Sequence, residues 1–254
     1  MTDQSAPDMP TPEFSASLLD QVFRLWIEPA IAENGAELVR SDVVKALVVM
    51  APLDAPTVYL NDDAGLIAHA RAARSIDAGQ EVTLDDISSI EGLVPSDIDP
   101  NAAWVALAKI GEEIVVAFDF RRNRQTATSL LQRATEFVAA AESSLEREYL
   151  GPAIENGFAA AELTVKAEMF LIDDRPTQIH HERVTWWSEW EKLGNAPPGA
   201  AEVLQRLYVE RGASRYGDGP ISMSAEDVHI ALDSVAAMID LAKKRQATAA
   251  WVNR

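Results

Sequence analysis

Two short stretches of this 254-residue chain hold side chains able to work on a phosphodiester. In DDRPTQIHH, residues 173–181, Arg175 is followed after four residues by His180 and after five by His181. A guanidinium carries fixed positive charge and an imidazole exchanges a proton near neutral pH. Metal-independent RNA cleavage asks for that pair, one for the developing phosphorane and one for the 2′-hydroxyl proton. In VERGASRYGDG, residues 209–219, Arg211 is followed after four residues by Tyr216. A phenol of pKa about 10 is ionised to roughly one part in a thousand at pH 7 and makes a weak base. Each stretch also has a purely structural reading. Pro176 suits the first to a turn that enters a helix. Gly217 and Gly219 read as stop signals for a helix that ends in Arg211, Arg215 and Tyr216, with Asp218 pairing an arginine.

Other chemistries fail on counting. No G-x-x-x-x-G-K-[ST] and no strand-borne G-x-G-x-x-G occurs, so phosphate cradles for nucleotides have no support. Asp97, Asp99 and Asn101 imitate the opening of a calcium loop, but Ala102 and Ala108 occupy its glycine and closing-glutamate positions. A di-iron bundle needs two Glu-x-x-His pairs and only Glu226 with His229 is present, while His181-Glu182 lacks the second histidine of a zinc peptidase helix. With no cysteine at all, thiolate metal sites, disulfides and a Cys nucleophile are excluded. No metal and no cofactor is expected. His69 and His229 read as packing or surface residues. Trp186, Trp187 and Trp190 form the densest aromatic cluster; 186 and 190 share a helical face, which suits a core ridge or a dimer interface better than a stacking platform for bases.

Charge narrows the partners. The chain carries 22 basic against 40 acidic residues, a net of -18. Residues 1–124 hold 9 basic and 21 acidic, and the remainder 13 and 19. Neither part has the Lys/Arg surplus that grips phosphates, so DNA binding is not expected and RNA could be met only through local patches such as RRNR (121–124) or KKR (243–245). No apolar run reaches the roughly 18 residues of a membrane span, and MTDQSAPDMPTP has no signal-peptide pattern. A cytoplasmic, membrane-free protein is expected.

The elements that would position these side chains fall into two regimes. Residues 1–13 read as a disordered leader. Over residues 14–124, VFRLWI (22–27), KALVVM (45–50), TVYL (57–60) and EIVVAFDF (113–120) read as strands, and WVALAKIGEEIVVAFDF as a hairpin turning near Gly111. Thr83 with Asp86 predicts the cap of a short helix after a strand end. From residue 125 to about 250 the spacing predicts helices. Leu130, Ala134, Phe137, Ala141 and Leu145 line the first; Ile154, Phe158, Ala161, Val165 and Met169 the second. Two more follow around WWSEW and LQRLYV, then a last helix capped by Ser224 and Asp227 that buries Val228, Ala231, Val235, Met238 and Ala242. The fold class is α+β: a small mixed domain, then an all-α bundle of about five helices.

That helical run resembles the HEPN superfamily, through FAAAELTVKAEMFLI in the second helix, the histidine-bearing loop before the third, and LQRLYVERGASRYGDG leading to the last. These are small helical domains, commonly dimeric, of bacterial and archaeal toxin, defence and RNA-processing proteins. The resemblance covers roughly residues 126–247. HEPN ribonucleases carry an arginine, four to six residues, then a histidine. By location Arg211 stands at the arginine, but Tyr216 stands where the histidine belongs and Gly212 follows the arginine. The resemblance thus implies a homodimerising interaction or regulatory component without cleavage, able to bind a protein partner. The alternative is a ribonuclease that uses Arg175 with His180, or Arg211 with Tyr216.

Overall fold

The structure is a computed structural model that describes residues 12–33, 38–111, 113–173, 176–217, 219–248 and 251–252. The expected leader lies outside the described residues as far as position 11, and Pro12 already opens a helix. The chain divides into two units, residues 1–121 with 249–254, and residues 122–248.

The first unit opens with α1 (Pro12–Val22), a π-helical turn over Phe23–Ile27, and α2 (Glu28–Glu33). VFRLWI, expected as a strand, is therefore helical. Its β-branched and aromatic content misleads over six residues. The longer window is decisive: Leu18 and Leu19, Val22 and Phe23, Trp26 and Ile27 face one core at helical spacing, while Leu25 is exposed. The wide turn has a local cause. Pro29 cannot donate a hydrogen bond, and the chain opens beside it so that the amide of Glu28 reaches the Phe23 carbonyl five residues back.

Six strands follow: β1 (Lys45–Met50), β2 (Thr57–Leu60), β3 (Leu66–Ala72), β4 (Ile87–Pro95), β5 (Ala103–Ile110) and β6 (Glu113–Asp119). A seventh, β7 (Trp251–Val252), comes from the far end of the chain. One antiparallel sheet has the order β2-β1-β5-β6-β7, and β3-β4 form a separate hairpin. Central β5 is buried on both faces, which period-two alternation explains: Ala103, Val105 and Leu107 join Phe23 and Ile27 under the helix, and Trp104, Ala106 and Ala108 join Leu93 of β4 on the other side. The expected β5-β6 hairpin forms, with Gly111 in its turn at φ 63°. Asp86 caps a 3-10 turn at Leu84–Asp86 by accepting from the Thr83 amide and hydroxyl, both at 3.0 Å. No strand end precedes that turn; β4 follows it.

The second unit is α3 (Arg124–Glu146), α4 (Leu150–Phe170), α5 (His180–Lys192), α6 (Ala200–Tyr216) and α7 (Ala225–Ala247). Alanines recur every seven residues in α3 (127, 134, 141) and in α4 (153, 160, 167), and all six are fully buried. Either side of a turn at 147–149, these rows face one another, and side chains this small let two antiparallel helices pack closely. Gly157 continues the theme, since a Cβ there would stand 2.8 Å from Leu232 of α7. The turn itself is a Schellman closure: Glu148 takes φ 61° and the Tyr149 amide donates to the Ser144 carbonyl at 2.9 Å. One expected core residue is misplaced. Phe137 is 37% exposed, and Val138, one position on, fills the core instead. The predicted capping box of α7 forms, Asp227 accepting from the Ser224 amide at 2.9 Å.

Candidate functional site

The helical unit gathers its charge on facing stripes of α4 and α6. On α4, Glu155, Phe158 and Glu162 recur at three and four residues, as do Tyr208, Arg211 and Arg215 on α6, so each set lies along one side of its helix. Phe158 is buried between them, with the Tyr208 ring centroid 5.9 Å away and the Arg211 guanidinium 5.1 Å from the ring centre. Glu155 holds both arginines in ion pairs of 3.5 Å, through Nε of Arg211 and Nη1 of Arg215. These are charge contacts rather than hydrogen bonds. Arg211 Nε and Glu155 Oε2 are both buried without a hydrogen-bond partner among the described residues.

The first turn of α5 completes the constellation. His180 directs Nδ1 at Glu162 Oε1 and stands 6.2 Å from the same Phe158 ring. Arg183 donates to that carboxylate oxygen at 2.8 Å, to the Thr177 carbonyl at 2.9 Å and to Gln178 at 3.3 Å. A buried arginine thus locks the carboxylate, and the carboxylate fixes the imidazole. The His180 side chain is 43% exposed, which leaves its other nitrogen the one able to meet solvent. His180 and Arg211, taken from two separate stretches of sequence, therefore flank one aromatic ring.

The remaining expected residues are placed as follows. Arg175 lies outside the described residues. Tyr216 is 68% exposed at the last residue of α6, and its ring neighbours the Arg215 guanidinium at 5.9 Å. Arg211 points the other way, toward α4. Gly217 ends the helix at φ 70°. Trp187 is 1% exposed and belongs to the core; Trp186 and Trp190 stack at 4.9 Å and keep some surface. Sequence reading did not single out Glu155, Phe158, Glu162 or Arg183 as site residues. The seven-residue spacing of Glu155 and Glu162 against Arg211 and Arg215 was the signal available.

A second polar cluster serves packing. Glu168 of α4 is buried beside Trp190, pairs with Arg245 of α7, and Arg245 also donates to the Asn195 carbonyl at 2.6 Å. Burial pushes the Glu168 carboxyl up from its ordinary range, and the guanidinium pulls against that. The Trp190 indole N–H lies toward this carboxylate without closing a hydrogen bond. At the other end of α5, Glu191 accepts from the amides of Gly199 and Ala201, both at 2.6 Å, and so occupies the N-terminus of α6. Among the described residues no three His, Asp or Glu side chains stand together as metal ligands, and no helix is long and apolar enough to cross a membrane.

Comparison with protein families agrees with this architecture. The model of the HEPN domain matches residues 127–246, which span α3 to α7. No curated protein matches the chain.

Proposed function

We propose, from the premise that residues 127–246 form a HEPN domain, that the chain is a dimerising interaction or regulatory member of that group that does not cleave RNA. It would act in a cytoplasmic defence, toxin-antitoxin or RNA-related process. The observation that carries the reading is the setting of Arg211. Its guanidinium is held between Glu155 and Phe158, and Tyr216, where an imidazole would be needed, is exposed beside Arg215. An arginine neutralised by a carboxylate has little charge left for a phosphorane, and an exposed phenol has nothing to activate it. Incubation with mixed RNA in EDTA should give no cleavage above a buffer control. Light scattering should give twice the chain mass, and Trp186→Ala should lower that fraction because the Trp186 ring keeps surface.

One observation favours a second reading, a metal-independent ribonuclease. The grip of Glu162 on His180 Nδ1 leaves Nε2 as the free nitrogen, the arrangement that orients a histidine general base. Nε2 would take the 2′-hydroxyl proton while the 2′-oxygen bonds to phosphorus and the P–O5′ bond breaks, the departing 5′-oxygen taking up a proton from water. Arg211 on the same ring, or Arg175, would face the phosphorane oxygens. Cleavage in EDTA that leaves cyclic phosphate ends and falls at least a hundredfold in His180→Ala, with a similar loss in Arg211→Ala or Arg175→Ala, would establish this reading over the first.

A further inference from the structure

Glu168 lies near the end of α4 with its carboxylate buried, and two neighbouring helices converge on it. Arg245, in the last turn of α7, donates to Glu168 Oε2 and, at 2.6 Å, to the carbonyl of Asn195 in the connection between α5 and α6. The same guanidinium stands 5.6 Å from the centre of the Trp190 ring on α5. Trp190 in turn stacks on Trp186 at 4.9 Å, with 21° between the ring planes. A chain of contacts therefore runs from a buried carboxylate, through one cation, to the pair of indoles that keeps some surface.

Among the described residues, Arg245 of α7 is the charged group that acts on Glu168, and the Trp190 indole of α5 is the polar one. Other charges on these helices have their own partners. Glu162 of α4 holds His180 and Arg183, and Lys166 lies over the Phe170 ring at 5.9 Å. On α5, Glu189 takes Lys192 at 2.7 Å and Glu191 takes the amides of Gly199 and Ala201. On α7, Lys243 donates to the Thr135 hydroxyl at 2.9 Å and Lys244 is exposed. Burial holds the Glu168 carboxyl above its ordinary range while Arg245 pulls the other way, so it takes up a proton before ordinary carboxylates do as pH falls. A raised folded value means that this uptake favours the folded state, and Asp227, held below the ordinary range, keeps its cap on α7 through the same window. What weakens is the hold on Arg245, because a bond to an ionised carboxylate is roughly twice as strong as one to a neutral acceptor.

We infer that Glu168 is a proton-operated latch on the Trp186–Trp190 pair. Ionised, it holds Arg245 against Trp190 and keeps the two indoles stacked; protonated, it lets the guanidinium turn to solvent and the stack loosens. The Arg245 side chain is 27% exposed, so the way out is short. The consequence for assembly rests on the reading of this aromatic pair as part of the dimer surface. A loosened stack must be ordered again before a second copy can dock on it, and that ordering weakens the dimer.

The test follows the circular dichroism couplet of the stacked indoles in the full-length chain, assigned by its loss in Trp186→Phe, as pH is lowered from neutrality. Sedimentation of the same samples gives the dimer dissociation constant. The couplet should fall with a midpoint above the ordinary glutamate value of roughly 4.3. Glu168→Gln should show the low-pH couplet already at neutral pH and no titration. Arg245→Ala should do the same, and where it does not fold Glu168→Gln decides alone. Acidification also lessens the repulsion between chains of net charge -18, so dimerisation is read as a ratio of dissociation constants at each pH. Glu168→Gln should dissociate at least fivefold more readily than wild type at neutral pH and equally below the midpoint. A wild-type couplet in Glu168→Gln, a midpoint in or below the ordinary range, or equal dissociation constants at neutral pH overturns the inference and leaves the dimer itself standing. A couplet that titrates as expected in a chain that stays monomeric upholds the latch and removes the dimer reading instead.

Discussion

At the scale of single residues, the Glu168–Arg245 pair is the side-chain contact whose loss should be felt most. Glu168 is 1% exposed, and an ionised carboxylate so placed is costly unless a cation stays beside it. Arg245→Ala should therefore destabilise the helical unit by about 3 kcal/mol at pH 7, the usual cost of leaving a buried charge unpaired. The pH dependence has a definite sign. Because burial raises the Glu168 pKa, the carboxyl binds its proton more tightly when folded, so its contribution is most favourable below the ordinary carboxylate range and is lost as pH rises through the folded value. The deficit of Arg245→Ala should shrink on acidification, and Arg245→Ala with Glu168→Gln should be more stable at pH 7 than Arg245→Ala alone. Urea melts at two pH values decide this. An equal deficit at both would remove charge burial as the cause. The same residues mark the limit of reading a site from sequence. Arg211 and His180 could be picked out because their side chains are chemically distinctive. Their common partner Phe158, and the Glu162–Arg183 clamp behind His180, exist only once α4, α5 and α6 pack, and no spacing within one stretch encodes them.

At the scale of elements, α3 and α4 were legible because long amphipathic stretches with a short polar break leave few alternatives. Their alanine rows explain why the pair is close. Replacing Ala160 by Leu should push the helices apart and cost about 1–3 kcal/mol, whereas Ala140→Leu, on an exposed position of α3, should be nearly neutral; thermal denaturation of both variants separates close packing from helix propensity. The capping boxes read correctly for a different reason, since Ser-x-x-Asp and Thr-x-x-Asp are local signals. Ser224→Ala should cost the helical unit about 1 kcal/mol. Asp227 and Asp86 are both held below the ordinary carboxylate pKa, chiefly by the amides they accept from, so their support is present above that ordinary value and fades as pH falls through the lowered one. Strands were harder. VFRLWI has strand composition and helical spacing, and spacing wins because the core it meets lies on one side. β3, with the sequence LIAHARA, reads as a strand segment around His69, but its bounds are poorly marked. Ile67 to Ala72 are exposed, so its alternation has little burial to report.

At the scale of the whole molecule, chain order and unit membership part company at the end. Residues 249–254 follow the last helix of the bundle yet belong to the strand-bearing unit, where Trp251 and Val252 pair with Phe118 and Ala117 of β6. Two residues of strand carry almost no periodicity, so sequence pattern assigned residues up to 250 to the helices they follow. The division makes an asymmetric prediction for dissection. Residues 122–248 bring with them every residue of their own buried clusters, from Ala127 to Ala242, and the first and last helices close on each other within the piece, as in the Lys243–Thr135 hydrogen bond. Produced alone, this piece should give a helical circular dichroism spectrum and one cooperative melt. Residues 1–121 produced alone lack β7, which bares the outer edge of β6 at Ala117 and Phe118, and an exposed strand edge is a template for association. That piece should aggregate in a concentration-dependent way, and joining residues 249–254 to it through a flexible linker should restore a monomer. Light scattering on the three pieces decides the matter. A monomeric 1–121 piece with the same melting temperature as the linked form would mean that β7 contributes nothing to closing the sheet, and the edge of β6 would then have to be guarded by its own charged residue, Glu113, and by the twist of the strand.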